Sequence, residues 1–299
     1  MDVRDPRRRA SGARRALALG ALAAVSLTGC SAEVQRGWMP GYEDGQVTDR
    51  TEAITSLWVG SWVAALLVGA LVWGLLIWCV AVYRKRKDDD VLPIQTRYHV
   101  PLEILYTAVP VVMVGVLFFH TVQVMDQTEE VLEDPDVVVE VYAKQWSWDF
   151  NYIDDGVWDS GVHVIDVGTP GNPERLPTLY LPVDQRVEFQ LRSRDVIHSF
   201  WVPAFLYKKD MFPSDVRVFQ VVPTRVGTYA GKCAELCGEH HGGMLFNVKV
   251  VEQDEYDAHI EALRERGQTG RLGPELDRNQ SRGEDNTVPT TPRDGGEDA

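Results

Sequence analysis

The stretch "KCAELCGEHHGGML", residues 232–245, gathers two cysteines, two adjacent histidines and a methionine. The whole chain of 299 residues has only four cysteines, so half of its thiols stand in this one short segment. The spacing Cys233-x3-Cys237-x3-His241-x2-Met244 offers two thiols, an imidazole and a thioether from a single loop. Three chemistries compete for such a set. A disulfide between Cys233 and Cys237 leaves the histidine and the methionine without a purpose. Zinc takes thiolates and imidazoles in fours, and Cys233, Cys237 and His241 with one more histidine meet that count. Thioether sulfur is a soft donor that copper accepts alongside thiolate and imidazole, and Met244 therefore tips the choice to copper.

The upstream stretch "RDVIHSFWVP" supplies His198, at the start of an apolar run. A lone histidine in that setting reads as a core or edge residue; beside a loop short of one nitrogen donor it reads as a ligand. Two thiolates, two imidazoles and one thioether suffice for two copper ions. Thiolates shared by both metals would spread an unpaired electron over the pair, so little geometry changes on reduction. His240 is read as a solvent-exposed neighbour of His241.

Such a loop needs a rigid frame. After the acidic linker "DQTEEVLEDPD" the sequence turns to short alternating runs: "VVVEVYAKQWSWDF", "TLYLPV", "RVEFQLRS", "HSFWVP", "VRVFQVVP", "GTYAGKCAEL" and "MLFNVKVVE". In "RVEFQLRS", Val187, Phe189 and Leu191 fall on one face and Glu188, Gln190 and Arg192 on the other. These runs predict an all-β, two-sheet sandwich over 137–266. A loop-like insertion at about 153–177 is expected from its Gly and Pro content, and "EQDEYDAHIEALRER" reads as a closing helix. From 267 to 299 large apolar residues nearly vanish, which predicts a disordered tail.

Ahead of the sandwich, residues 53–83 contain no charge, and at about 1.5 Å rise per residue they exceed the roughly 30 Å of a bilayer's hydrocarbon. The basic "YRKRK" that follows marks the cytoplasmic side. A second apolar run, 101–124, carries Glu103 near its start, Pro110 inside and His120 near its end. The pair predicts a transmembrane hairpin over 53–126 and a linker at 127–136, with segment 30–52 and the β domain outside the cytoplasm. Residues 1–29 place six arginines before "ALALGALAAVSL" and the small-residue site "LTGC". That tetrapeptide resembles a bacterial lipoprotein signal with Cys30 as the lipid carrier; an ordinary secretory signal is the alternative. Loss of 1–29, with its six Arg and two Asp, moves the net charge from −14 to near −18. That acidity argues against nucleic acid as a partner.

The hairpin, the sandwich and the sulfur-rich loop resemble subunit II of the haem-copper cytochrome c oxidases that carry a dicopper CuA centre, over roughly residues 50–262. The resemblance implies a cupredoxin-like domain in which Cys233 and Cys237 are bridging thiolates, His198 and His241 nitrogen ligands and Met244 an axial sulfur. It implies that the Glu235 main-chain carbonyl ligates copper and that its side chain reaches a magnesium or manganese ion shared with subunit I. "KQWSWDF" matches the family's aromatic patch, so Trp146 would receive electrons from a c-type cytochrome. On the residues alone, Trp146 and Trp148 read as half-buried strand aromatics. Asp149 and Asp195 are candidates for a carboxylate docking surface. Glu103, in "LEILYTAVP", matches the carboxylate at the mouth of a proton path; on the residues alone it is as readily an interfacial carboxylate.

The implied protein sits in a bacterial cell membrane with oxidase subunits I and III. It takes electrons from a c-type cytochrome or a cytochrome bc complex and passes them to haem in subunit I, where oxygen is reduced to water and protons are translocated. The insertion and the long tail depart from the family pattern and bear on which donor is used. A quinol oxidase subunit II shares the architecture, but Cys233, Cys237, His241 and Met244 count against it.

Overall fold

The computed structural model describes residues 31–40, 46–84, 94–169 and 176–278. The expected signal segment 1–29, Cys30, most of the basic cluster after the first span and residues 279–299 lie outside the described residues. The chain divides into two compact units, one drawn from residues up to Met39 and from Thr55–Phe119, the other from Pro40–Ile54 and from His120 onward.

Helix α1 (Ala32–Gln35) and most of α2 (Thr51–Val82) and α3 (Val100–Glu129) form the first unit. Both long helices are long and apolar enough to cross a membrane. Leu66, Leu71, Trp73, Ile77 and Trp78 of α2 are all exposed. A helix that is apolar all round belongs in lipid, where its backbone polar groups bond only to one another. Pro110 lies inside α3, as membrane helices tolerate. The N-terminus of α3 is capped reciprocally: the His99 N–H donates to Glu103 Oε1 at 3.0 Å and the Leu102 N–H to His99 Nδ1 at 3.3 Å.

The second unit is the cupredoxin-like sandwich. Its strands are β1 (Val137–Lys144), β2 (Ser147–Tyr152), β3 (Val157–Ser160), β4 (Thr178–Pro182), β5 (Val187–Ser193), β6 (His198–Val202), β7 (Tyr207–Met211), β8 (Arg217–Val221), β9 (Gly227–Cys233) and β10 (Leu245–Val251). They make two five-stranded sheets, ordered β3-β2-β1-β5-β8 and β4-β10-β9-β6-β7. β1 runs parallel to β5 and β10 parallel to β4; the β1–β2 and β9–β10 hairpins are antiparallel. Between the sheets, Trp148, Phe150, Phe189, Phe200, Phe219 and Phe246 are buried. Phe189 stacks on Phe219 with ring centroids 4.6 Å apart, and Phe200 on Phe246 at 4.9 Å. Gly231 pairs across the β9–β10 ladder with Phe246, and a Cβ there would stand 2.3 Å from the phenyl ring. Helix α4 (Gln253–Glu265) closes the unit with Tyr256, Ile260 and Leu263 turned inward.

Two expectations about this unit are corrected. The insertion is not all loop: β3 pairs with β2 from Asp149↔Ser160 to Tyr152↔Val157 and buries Val157. Of the tail, residues 267–278 are ordered. The Trp158 N–H donates to the Gln268 carbonyl at 3.1 Å, the Gly270 N–H to Gly156 at 2.8 Å, and the Arg278 N–H to Arg194 at 2.9 Å. Its cause is charge. The outer face of β1, β2 and β5, with the residues just after β5, buries Glu140, Asp149, Arg192 and Arg194, and buried charges need partners. The strap supplies them. Arg271 pairs with Glu140, Asp277 Oδ1 stands 3.0 Å from Arg194 Nη1, and the Gly273 carbonyl accepts from the same nitrogen at 2.8 Å.

Candidate metal centre

β6 opens with His198 and β9 ends with Cys233, and the two strands pair with Phe200 opposite Cys233. That pairing brings the upstream histidine to the sulfur-rich loop. The loop closes where the Cys233 N–H donates to the Met244 carbonyl at 3.0 Å and the Ala234 N–H to Ser199 at 3.2 Å. His198, Cys233, Cys237 and Met244 are buried, and His241 is half-buried.

The donors form a continuous chain. His198 Nδ1 lies 3.8 Å from Cys233 Sγ, which lies 3.9 Å from Cys237 Sγ. Cys237 Sγ is 3.5 Å from His241 Nδ1 and 3.9 Å from Met244 Sδ. The Glu235 carbonyl is 3.2 Å from Cys233 Sγ. Both cysteines are free thiols, far beyond the roughly 2.05 Å of a disulfide. A 3.9 Å sulfur pair suits two thiolates that share a metal at about 2.3 Å each. The buried thioether beside them favours copper over zinc.

His198 is aimed by its far nitrogen. Nε2 meets Asp195 Oδ1 at 2.8 Å, which leaves Nδ1 facing the sulfurs. Burial opposes charge on both partners, yet their mutual hydrogen bond raises the His198 pKa and, with the Gln145 and Val196 main-chain bonds, lowers that of Asp195. Burial also pushes up the Cys233 thiol, but hydrogen bonds from His198 and the local backbone bring it below its ordinary value. Burial and the neighbouring Cys233 charge hold the Cys237 thiol above its own.

The docking acids are corrected. Asp149 is 1% exposed and Asp195 6%, so neither presents a carboxylate to a partner. Asp149 is spent on Lys144 Nζ at 2.6 Å and Arg194 Nε at 2.8 Å. Asp195 holds His198 and also accepts the Gln145 N–H at 2.7 Å. His240 is corrected too: it is half-buried, with its ring perpendicular to Trp146 at a centroid distance of 4.8 Å. Trp146 is itself half-buried and donates its indole N–H to the Cys237 carbonyl at 3.2 Å. Glu235 is half-buried, next to Leu236, which is 78% exposed. Glu103 belongs to the first unit, as the cap of α3.

Sequence reasoning missed Gln145, whose side-chain amide donates to the Cys237 carbonyl at 2.9 Å, and the Asp195–His198 pair. The second had a signal, an aspartate three positions before the histidine in "DVIH"; the first had none.

A family model described as "Cytochrome C oxidase subunit II, periplasmic domain" matches residues 137–251. A probable cytochrome c oxidase subunit 2 of Streptomyces avermitilis is 44% identical over an alignment of 278 positions that covers 83% of this chain and 86% of that protein. The cytochrome c oxidase subunit 2 of Mycobacterium bovis is 35% identical over an alignment of 291 positions that covers 81% of this chain and 79% of that one. Among solved structures, the periplasmic domain of cytochrome oxidase subunit II from Bradyrhizobium japonicum is 27% identical, with a TM-score of 0.41, and covers 46% of this chain and 99% of its own.

Proposed function

The chain belongs to the cytochrome c oxidase subunit II family, and from that premise we propose that it is the electron-accepting subunit of a proton-translocating terminal oxidase. The observation that carries the reading is the unbroken run of donors from His198 Nδ1 through Cys233 and Cys237 to His241 Nδ1 and Met244 Sδ. Cys233 and Cys237 are the thiolates that hold two copper ions, His198 and His241 bind through Nδ1, Met244 supplies the thioether and Glu235 its main-chain carbonyl. When bound, the copper pair supplies a one-electron relay between a c-type haem and haem in subunit I, where oxygen is reduced to water.

This chain's own residues prepare that relay. Asp195 takes the proton side of His198 and so fixes the tautomer that leaves Nδ1 its lone pair. Trp146 is where electrons enter, and its bond to the Cys237 carbonyl links the surface ring to a ligand. The Glu235 side chain holds magnesium or manganese against subunit I, with the exposed Leu236 in the same contact. Glu103 is the mouth of the proton path, with its carboxylate kept at the start of α3 by the His99 N–H.

Residues 53–83 and 101–124 span a bacterial cell membrane, with "YRKRK" inside and the domain 137–266 outside; Cys30, freed by loss of 1–29, carries the lipid. Subunits I and III and a c-type cytochrome or cytochrome bc complex are the partners. Purification from membranes in mild detergent tests the reading. A haem-containing large subunit should accompany the chain, and Cys237→Ser should assemble yet lose oxygen uptake driven by reduced c-type cytochrome. Full uptake in that variant would defeat the proposal.

A further inference from the structure

The Trp146 indole is held on three sides. Its six-membered ring rests on Gly238, at φ +124°, where a Cβ would stand 2.8 Å from Cζ2. The His240 ring stands perpendicular to it, at a centroid distance of 4.8 Å and an interplanar angle of 87°. The His163 ring does the same from another side, at 5.5 Å and 81°, and the two imidazoles are 5.7 Å apart. Edge-to-face contact is the favourable arrangement for such rings.

The two histidines come from different segments. His240 lies in the metal loop. His163 follows β3 within the insertion, and the next residue anchors it: the Val164 N–H donates to the Trp146 carbonyl at 3.1 Å. The Val164 side chain also packs so tightly on the metal loop that a Cβ on Gly243 would stand 2.7 Å from Val164 Cγ2. A tryptophan at a rim has several staggered side-chain positions open to it. Only a position like the one observed aims the indole N–H at the Cys237 carbonyl, 3.2 Å away.

We propose that His163 and His240 are positioning residues for electron acceptance, a clamp that holds the Trp146 indole on the Cys237 carbonyl. The inference rests on the reading that electrons enter at Trp146. One electron leaves the ferrous c-type haem of the donor and is taken up by the oxidised subunit; Trp146 makes and breaks no covalent bond and keeps its indole proton. Turning the ring away breaks the hydrogen-bonded route while every copper ligand stays in place.

Two readouts test the clamp. In the copper-free full chain in detergent, the Trp146 indole N–H resonance, assigned by its loss in Trp146→Phe, should be protected from hydrogen exchange. In the His163→Ala, His240→Ala double variant it should exchange about tenfold faster or more, and His163→Phe should retain the protection. In the assembled oxidase, reduction by a reduced c-type cytochrome should slow about tenfold in the double variant, with the copper spectrum and potential unchanged, and recover with His163→Phe in a chain that keeps His240. Wild-type exchange and reduction in the double variant would overturn the clamp, as would a copper spectrum that changes in step with the rate. Trp146→Ala separates the two levels. If it is reduced at the wild-type rate, the reading of Trp146 itself fails and the clamp with it; if it is slow while the histidine variants are fast, only the clamp fails.

Discussion

Asp195 offers a prediction whose size follows from counting acceptors. Its Oδ1 accepts the His198 Nε2–H and the Val196 N–H, both at 2.8 Å, and its Oδ2 accepts the Gln145 N–H at 2.7 Å. Asn at this position has one acceptor oxygen. Placed where Oδ1 was, that oxygen keeps His198 and Val196, and the amide NH2 then faces the Gln145 N–H, donor against donor. The flipped amide would sacrifice two bonds to save one. Asp195→Asn therefore loses one charge-assisted hydrogen bond and leaves the half-buried Gln145 N–H without its acceptor, about 1–3 kcal/mol of stability. His198 keeps its partner, so copper affinity should fall less than about tenfold. Asp195→Ala removes all three bonds and should weaken copper by about 10–100-fold. Urea unfolding followed by tryptophan fluorescence and chelator competition, both on the full chain in detergent, read the two quantities separately. An Asn variant that loses copper as badly as Ala would refute the acceptor count. An Ala variant with wild-type copper affinity would refute the role given to His198 Nε2.

Further outcomes follow from the same geometry. The Cys237 thiol is held above its ordinary value by burial and the Cys233 charge, so it keeps its proton near neutral pH and copper must displace it. Apparent copper affinity should then rise with pH, about tenfold per unit for each proton displaced; pH-stat titration of proton release checks the count. Met244→Leu conserves volume at a buried site, so copper should stay bound while the midpoint potential moves, as a redox titration would record. Ending the chain after Arg266 strips Arg194 of the Gly273 carbonyl and Asp277. It should cost about 3–5 kcal/mol of domain stability in urea unfolding. Gly231→Ala drives a Cβ into the Phe246 ring, and a fall in Tm equivalent to about 1–3 kcal/mol is expected.

The sandwich was legible because its inner face alternates. Val187, Phe189 and Leu191 are buried as the period-2 pattern demands. The outer face was not: Arg192, which the alternation sets opposite the apolar residues, is in fact buried against Glu140, with Arg192 Nε 2.6 Å from Glu140 Oε1. Their need for partners is also why the strap looked structureless: its order comes from long-range ion pairs and carbonyls, with no periodicity to read. β7 escaped notice because "YKKDM" is charged and lies at a sheet edge. In the site, ligand types and spacing were readable locally, whereas Gln145, His163 and His240 gain meaning only from the pairing that folds distant segments together. The burial of Asp149 was invisible for the same reason, since Arg194 claims it from the segment after β5, whereas Asp195 is claimed locally by His198, three residues on.

The central claim is that His198, Cys233, Glu235, Cys237, His241 and Met244 hold two copper ions as one electron-sharing unit. Metal analysis of the full chain loaded with copper, together with its electron paramagnetic resonance spectrum, tests it most directly. Two coppers per chain and a seven-line hyperfine pattern are expected, since one unpaired electron shared equally by two copper nuclei must split in that way. A single copper with a four-line pattern, or one tightly held zinc and no signal, would contradict it.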